Sequence, residues 1–402
     1  MYMSKVLDVT DKVKWIGVLD KDIVTFDIVM ETKYGTTYNS YLINAKKKTL
    51  VETVKEKFFP EYLEKIKSQI NPSDIEYIIL NHTEPDHSGS LVHILKLAPN
   101  AKVVGSRLAI NYMEDFLGTS FPNIVVKDGD QLDLGDMKIK FIGAPNLHWP
   151  DSMYSYLEEE KVLFTCDSFG AHFANEAMYD DKVGNYEDSF KYYFDVILKP
   201  YSKFMVKAIE KIRPLDIKAI CPGHGPLLTT NWKKIVDKTE EYAKEYLELP
   251  QSKHVLIAYI SIYSNTKKIA EKLGEVISSY EGFTVNVCDI EKISLGELDA
   301  NIAKSAGIIV GSPTVNQNTL LPVYKLFACI NPLRDRNKIG ACFGSYGWSG
   351  EASKIISDNL KNLKLNVIDE FITFKFSPHQ EAFEKCNSFG KEFVEKLRQY
   401  NQ

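Results

Sequence analysis

Apolar positions along this 402-residue chain fall into short runs, and their character changes near residue 250. Before that point, β-branched and aromatic runs of strand length alternate with turn residues: Thr37–Ile43, Glu76–Leu80, Lys102–Gly105, Met137–Ile142 and Lys161–Thr165. Such runs predict strands, and the stretches 53–68, 88–97 and 184–212 between them carry helical spacing. After that point the runs are almost wholly apolar, at 254–260, 283–288, 306–311, 338–343 and 365–372, with helices predicted at about 266–280, 319–329, 350–362 and 380–399. Strands that are apolar throughout are buried on both faces, which predicts a doubly wound parallel sheet. A charged helix at 233–248 leads into Leu249-Pro250-Gln251-Ser252, where a boundary is expected. The chain is therefore read as α/β with two domains, 1–250 and 251–402.

Composition narrows the function classes. Hydrophobic residues make up 44% and charged residues 26%, ordinary globular usage that excludes a disordered or fibrous chain. Forty-nine basic against 54 acidic residues leave a net charge of −5, with no basic block longer than Lys46-Lys47-Lys48. Nucleic acid and anionic membrane are thus not expected partners. No apolar run approaches the roughly 20 residues of a membrane span, and the N-terminal residues lack a signal peptide's apolar core, so a cytoplasmic location is expected. The six cysteines, at 166, 221, 288, 329, 342 and 386, form no Cys-x-x-Cys pair. They read as reduced, mostly buried thiols, and a fused thiolate metal module such as rubredoxin is excluded.

The histidines carry the sharpest signal. The segment Asn81-His82-Thr83-Glu84-Pro85-Asp86-His87-Ser88 directly follows a predicted strand. If it stays extended, His82 and Glu84 project the same way while Asp86 and His87 come from the turn, so that one pair can serve each of two metals. His148, Asp167 and His224 each follow a later apolar run, and a carboxylate such as Asp167 can bridge two metals. Either His148 or His224 alone reads more readily as an ordinary loop polar; the ordered set of four elements does not.

The order His-x-Glu-x-Asp-His, then His, then Asp, then Gly-His-Gly resembles the metallo-β-lactamase superfamily, which implies an αββα sandwich for the N-terminal domain. Its zinc hydrolases usually carry a second His where Glu84 stands; a carboxylate there hardens the ligand set and favours iron. That variation resembles the flavodiiron proteins, as do Gly35–Ile43, His148-Trp149-Pro150-Asp151-Ser152-Met153 and Tyr192-Tyr193-Phe194-Asp195. The resemblance implies that His82, Glu84 and His148 bind one iron, that Asp86, His87 and His224 bind the other, and that Asp167 bridges them. It also implies an outer position for His172 and a substrate pocket lined by Tyr192 and Tyr193. Packing is an equal alternative for all three. The 20s region, where some members carry a further His, reads Val24-Thr25-Phe26-Asp27-Ile28-Val29 here, and Gly-Pro-Leu-Leu follows His224 without the aromatic and basic residues often found there.

In the second half, Ser261-Ile262-Tyr263-Ser264-Asn265-Thr266 lies between a strand and a helix start, where hydroxyls, amides and free N–H groups can hold a phosphate. The string is no P-loop, and alone it is an N-cap as readily as a site. Two further strand-end loops strengthen it: Ser312-Pro313-Thr314-Val315-Asn316 and Ser345-Tyr346-Gly347-Trp348. Trp348 or Tyr346 can stack on a planar ring, with packing the alternative for an exposed loop tryptophan. Together the loops resemble flavodoxin and point to FMN, since no dinucleotide fingerprint follows the first strand. The whole-chain resemblance implies an oxidoreductase passing electrons from FMN to a bridged non-haem di-iron site that reduces dioxygen to water, nitric oxide to nitrous oxide, or both. It further implies a head-to-tail homodimer or dimer of dimers. With the chain ending after the flavodoxin-like part, a separate electron donor is expected, rubredoxin first and a reduced deazaflavin second. A zinc hydrolase with a flavodoxin-like appendage and a non-enzymatic redox carrier are the competing readings.

Overall fold

The structure is a computed structural model that describes residues 5–26, 30–248 and 253–400. The chain divides into two compact units, Met1–Glu248 and Leu249–Gln402. The boundary tetrapeptide expected from the sequence lies outside the described residues.

Among the described residues, the first unit holds a seven-stranded and a five-stranded sheet. The strands alternate their burial. In Ile75–Ile79, Ile78 faces one apolar cluster and Ile79 the other; Val103 and Val104 divide in the same way, as do Leu163 and Phe164 of Val162–Cys166. The cluster of Trp15, Tyr41, Ile79 and Val104 with Ile139, Phe141 and Phe164 draws on both sheets, so the sheets face each other. Helices such as Phe59–Lys67 and Ser202–Ile212 bury Tyr62, Ile66, Met205 and Ile209 in the other cluster, on the outer faces. Period-two burial on strands and period-3.6 burial on helices thus assemble the αββα sandwich.

The second unit is a parallel sheet. Its strands run in the spatial order Thr284–Asp289, His254–Tyr259, Gly307–Pro313, Ile339–Tyr346, with Asn366–Val367 and Ile372–Lys375 both pairing with the last. Val255 and Ile257 join the cluster formed with helices Asn265–Ser278 and Gln380–Tyr400, while Leu256 and Ala258 join the opposite one. The order reverses between His254–Tyr259 and Gly307–Pro313, the position where such sheets bind ligands at their carboxyl ends. Among the described residues no helix is long and apolar enough to cross a membrane.

Several expectations need adjustment. Thr37–Ile43 is two strands, Thr36–Tyr38 and Tyr41–Ile43, because Asn39 leaves the ladder to donate its N–H to the Gly223 carbonyl at 2.9 Å. The predicted helix 184–212 breaks into Glu187–Tyr193, a π turn at Phe194–Leu198 and Ser202–Ile212, with Pro200, which has no N–H to donate, at the join. The predicted strand 365–372 is two short pieces, the second running on to Lys375. Helix 53–68 begins only at Phe59, and 88–97 is Pro85–Ser88 followed by Leu91–Leu97. Strands Lys48–Val51 and Met153–Leu157 and helix Arg107–Leu117 had no clear counterpart in the apolar pattern.

Candidate metal centre and flavin pocket

The first unit gathers its histidines and carboxylates at strand ends. After Ile75–Ile79, Asn81 is held at both ends: its N–H donates to Glu52 Oε1 at 2.8 Å and its carbonyl accepts from Met153 N at 2.9 Å. The following turn closes at His87, whose carbonyl accepts from Thr53 N at 2.7 Å and Thr53 Oγ1 at 2.8 Å. Across the sandwich, Val162–Cys166 runs parallel to Ala219–Pro222 with Cys166 opposite Pro222, so Asp167 and His224 emerge side by side. Cys166 takes a φ of 47°, in the left-handed region, and Gly223 has no room for a side chain: a Cβ there would stand 2.6 Å from His87 Cε1.

The donor atoms then form two groups. In the first, Glu84 Oε2 lies 3.2 Å from His82 Nε2 and 3.1 Å from His148 Nε2. In the second, Asp86 Oδ2 lies 3.1 Å from His224 Nε2 and 3.5 Å from His87 Nε2. Asp167 turns one oxygen to each. Its Oδ2 is 3.5 Å from His148 Nε2 and 3.6 Å from His82 Nε2, and its Oδ1 is 3.1 Å from His87 Nε2 and 3.4 Å from His224 Nε2.

Hydrogen bonding on the far side of two rings tells what the near side offers. His224 Nδ1 donates to the Thr37 carbonyl at 2.6 Å; a carbonyl only accepts, so that nitrogen carries the proton. His82 Nδ1 likewise faces Asp151 Oδ1 at 3.2 Å, and Asp151 Oδ2 also accepts from Thr83 N and Oγ1, each at 2.8 Å. In the neutral imidazoles, both Nε2 lone pairs then point at carboxylate oxygens. Acceptor facing acceptor at these distances repels unless positive charge sits between them. Asp86 Oδ1 and Oδ2 are buried with no hydrogen-bond partner. The pKa shifts carry the same demand. Burial alone would lower the imidazole pKa values, yet the surrounding carboxylates hold His82 well above its ordinary value and His224 at about 10. Burial would raise Glu84, yet His148 and His82 bring it down to about 2. The cluster fits two divalent cations: four imidazoles and three carboxylates, with a carboxylate in bridging position, are a hard N/O set suited to iron.

The neighbouring residues divide. Tyr193 donates its buried hydroxyl to Asp167 Oδ1 at 3.2 Å, while Tyr192, about 100° away around the helix, is half-buried. His172 Nδ1 lies 2.8 Å from Thr36 Oγ1 and its Nε2 is buried without a partner. Burial and nearby His224 lower its pKa to about 3, so it is a neutral ring. Phe26 stacks on it at 4.6 Å, putting a phenyl beside the histidines in the region where a further His was absent. Two residues escaped the sequence reading. Asp151 orients His82. Glu52, with donor atoms grouped within 4.8 Å of those of His87 and Cys166, is pushed by burial up to about 8 and so adds little negative charge at neutral pH. Asp151 stood in the sequence only as a member of the resembling segment His148–Met153, with no role attached to it.

In the second unit a cavity of about 170 Å³ opens at the strand ends. Ser261, Tyr263, Asn265 and Thr266 reach it from the first loop, Pro313, Thr314 and Val315 from the second, and Ser345, Tyr346 and Gly347 from the third. Thr266 Oγ1 and Ser345 Oγ are 3.2 Å apart and Thr314 N donates to the Ser345 carbonyl at 2.7 Å, tying the loops together. The N-terminus of helix Asn265–Ser278 opens onto the cavity, a ready anion site. Ser264, Ser312, Asn316 and Trp348 do not line it; Trp348 is 78% exposed. Ile262 and Phe376, which the loop motifs did not single out, do.

A sandwich with a two-metal donor cluster, joined to a doubly wound sheet with a phosphate-ready cavity, defines a metal- and flavin-dependent redox protein. The comparisons with known proteins agree. The model of the ODP family beta lactamase matches residues 36–225, and that of flavodoxin residues 257–390. The chain is 38% identical to the flavo-diiron protein FprA2 of Clostridium acetobutylicum over 97% of its own length and 99% of that protein's. It is 34% identical to a nitric oxide reductase of Moorella thermoacetica, over 98% and 100%. Among solved structures, the rubredoxin oxygen:oxidoreductase of Desulfovibrio gigas superimposes with a TM-score of 0.79 at 31% identity, covering 98% of this chain and 99% of that one. The chain belongs to the flavodiiron family.

Proposed function

We propose that the chain is an FMN- and di-iron-dependent oxidoreductase that reduces dioxygen, nitric oxide or both. The observation that carries this reading is the pair of imidazole lone pairs, on His82 and His224, aimed at carboxylate oxygens with Asp167 between them. Bound there, two irons supply a place for a diatomic molecule and the electrons to reduce it, while FMN receives electrons from a donor and passes them on.

The chain's own residues do the rest. His82, Glu84 and His148 are assigned to one iron, Asp86, His87 and His224 to the other, and Asp167 to both. Asp151 and the Thr37 carbonyl fix the tautomers of His82 and His224, which keeps the Nε2 lone pairs available. Tyr193 holds a proton at its phenol oxygen beside Asp167, and burial keeps it there by raising its pKa. Residues 1–250 form the metal domain and 251–402 the FMN domain, in which Ser261, Asn265 and Thr266 hold the phosphate and Tyr346 flanks the ring. The donor we assign is a rubredoxin, the class named for the Desulfovibrio gigas relative, with a reduced deazaflavin as the second choice. The working form is a cytoplasmic head-to-tail homodimer or a dimer of such dimers.

The test is anaerobic reduction of the purified protein followed by separate challenge with dioxygen and nitric oxide, alongside metal and flavin analysis. Two irons and one FMN per chain, with flavin reoxidation by at least one gas, are expected. Zinc without flavin would favour the hydrolase, and flavin without metal the carrier.

A further inference from the structure

Two residues at the exit of the last strand of the flavin domain lie outside the three loops. Strand Ile372–Lys375 pairs in parallel with Ile339–Tyr346, Lys375 opposite Tyr346. The next residue, Phe376, donates its backbone N–H to the Tyr346 carbonyl at 2.8 Å. It does so with a φ of 55°, in the left-handed region that a bulky side chain rarely and expensively adopts. The residue is left 68% exposed, an unusual state for a phenylalanine, yet its Cε1 lies 3.4 Å from the point a Cβ on Gly347 would occupy. There it forms a wall of the cavity shared with Asn265, Thr266 and Gly347.

Ser377 then reaches the first loop. Its hydroxyl donates to Asn265 Oδ1 at 3.1 Å, and Lys268 Nζ donates to the same oxygen at 3.4 Å. Two donors on Oδ1 set the amide's orientation, so the NH₂ group is what Asn265 has left to offer the cavity it lines. An NH₂ donor in the first turn of a 14-residue helix adds to the N–H groups and dipole that favour an anion there.

Resting on the FMN reading above, we infer that Phe376 and Ser377 are a fourth flavin-binding segment. Ser377 is a positioning residue that turns the Asn265 amide toward the phosphate. Phe376 adds an aromatic face to the cavity wall beside that of Tyr346.

Flavin binding to the full chain, stripped of flavin and reloaded, distinguishes the two roles when FMN is compared with riboflavin, which lacks the phosphate. Ser377→Ala is expected to weaken FMN about 5-fold, the worth of one ordinary hydrogen bond, and to leave riboflavin binding unchanged. Ser377→Thr, which keeps the hydroxyl, restores FMN binding. Phe376→Ala weakens both flavins about 3- to 10-fold, and Phe376→Tyr restores both. Equal FMN affinity in wild type and variants, or a Ser377→Ala loss shared equally by riboflavin, overturns the inference. A wild-type chain that binds no FMN overturns the underlying reading instead.

Discussion

The metal domain and the flavin domain solve the same problem, holding a redox group at strand ends, by opposite means. In the metal domain the donors are buried and interlocked: His82, His87, Asp86, Asp167 and His224 are each 5% exposed or less, and outer partners fix two of the rings. In the flavin domain the cavity is made by loops, with Tyr263 at 82% and Phe376 at 68% exposure. A buried charge cluster has no solvent to make good a missing partner, so each member carries a large share of the site. A loop cavity spreads its hold over many weak contacts, so single changes cost little there. The difference teaches where damage concentrates.

The largest effect is expected at Asp167, which faces both ligand groups. Asp167→Ala should lower gas reduction by more than about 100-fold, as removal of a metal-activating group does, while leaving flavin absorbance intact; turnover near wild type would remove it from the centre. Next comes Asp151→Asn, which keeps the shape but weakens the acceptor behind His82. Iron affinity, read by competition with a chelator, should fall about 10- to 100-fold. Gly223→Ala puts a methyl against His87 and is expected to cost about 1–3 kcal/mol in thermal unfolding, with loss of iron.

A pH measurement sharpens the same contrast. In the metal-free protein His224 titrates at about 10, above its ordinary value, so at neutral pH it holds a proton that iron must displace. Iron loading should therefore release protons, and iron affinity should rise with pH up to about that value; calorimetry in two buffers of different ionisation enthalpy reads the release. The smallest effect is Trp348→Ala, which should change FMN affinity less than about 2-fold because the side chain stands clear of the cavity.

The residues of the donor cluster were legible because each is chemically distinctive and lies directly after an apolar run, and the end of a strand is where a chain turns its polar side chains toward a common edge. The residues behind them were not. Asp151 reaches His82 through a contact that only the packing of two sheets creates, Glu52 comes near His87 because the paired strands Lys48–Val51 and Ile75–Ile79 end together, and a carboxylate by itself carries no sign of its partner. In the flavin domain the three loops were legible for the same strand-end reason. Trp348 belongs to the third loop but does not line the cavity, since aromatic character alone cannot say which way a loop turns. Phe376 was hidden because the apolar run read as ending at 372, whereas pairing with Ile339–Tyr346 carries the strand on to Lys375 and delivers the next residue to the cavity. The alternation of strands and helices followed from the spacing of apolar runs and the two-sheet sandwich only from the resemblance, while the breaks at Asn39 and Pro200 depended on single residues with particular backbone needs.

The central claim is that cations sit between the facing imidazole and carboxylate groups. Anomalous diffraction from crystals of the purified protein, recorded on both sides of the iron absorption edge, tests it most directly. Two iron peaks are predicted, one among His82, Glu84 and His148 and one among Asp86, His87 and His224, with Asp167 between them. A single peak, a zinc signal in place of iron, or no peak at these residues would contradict the account.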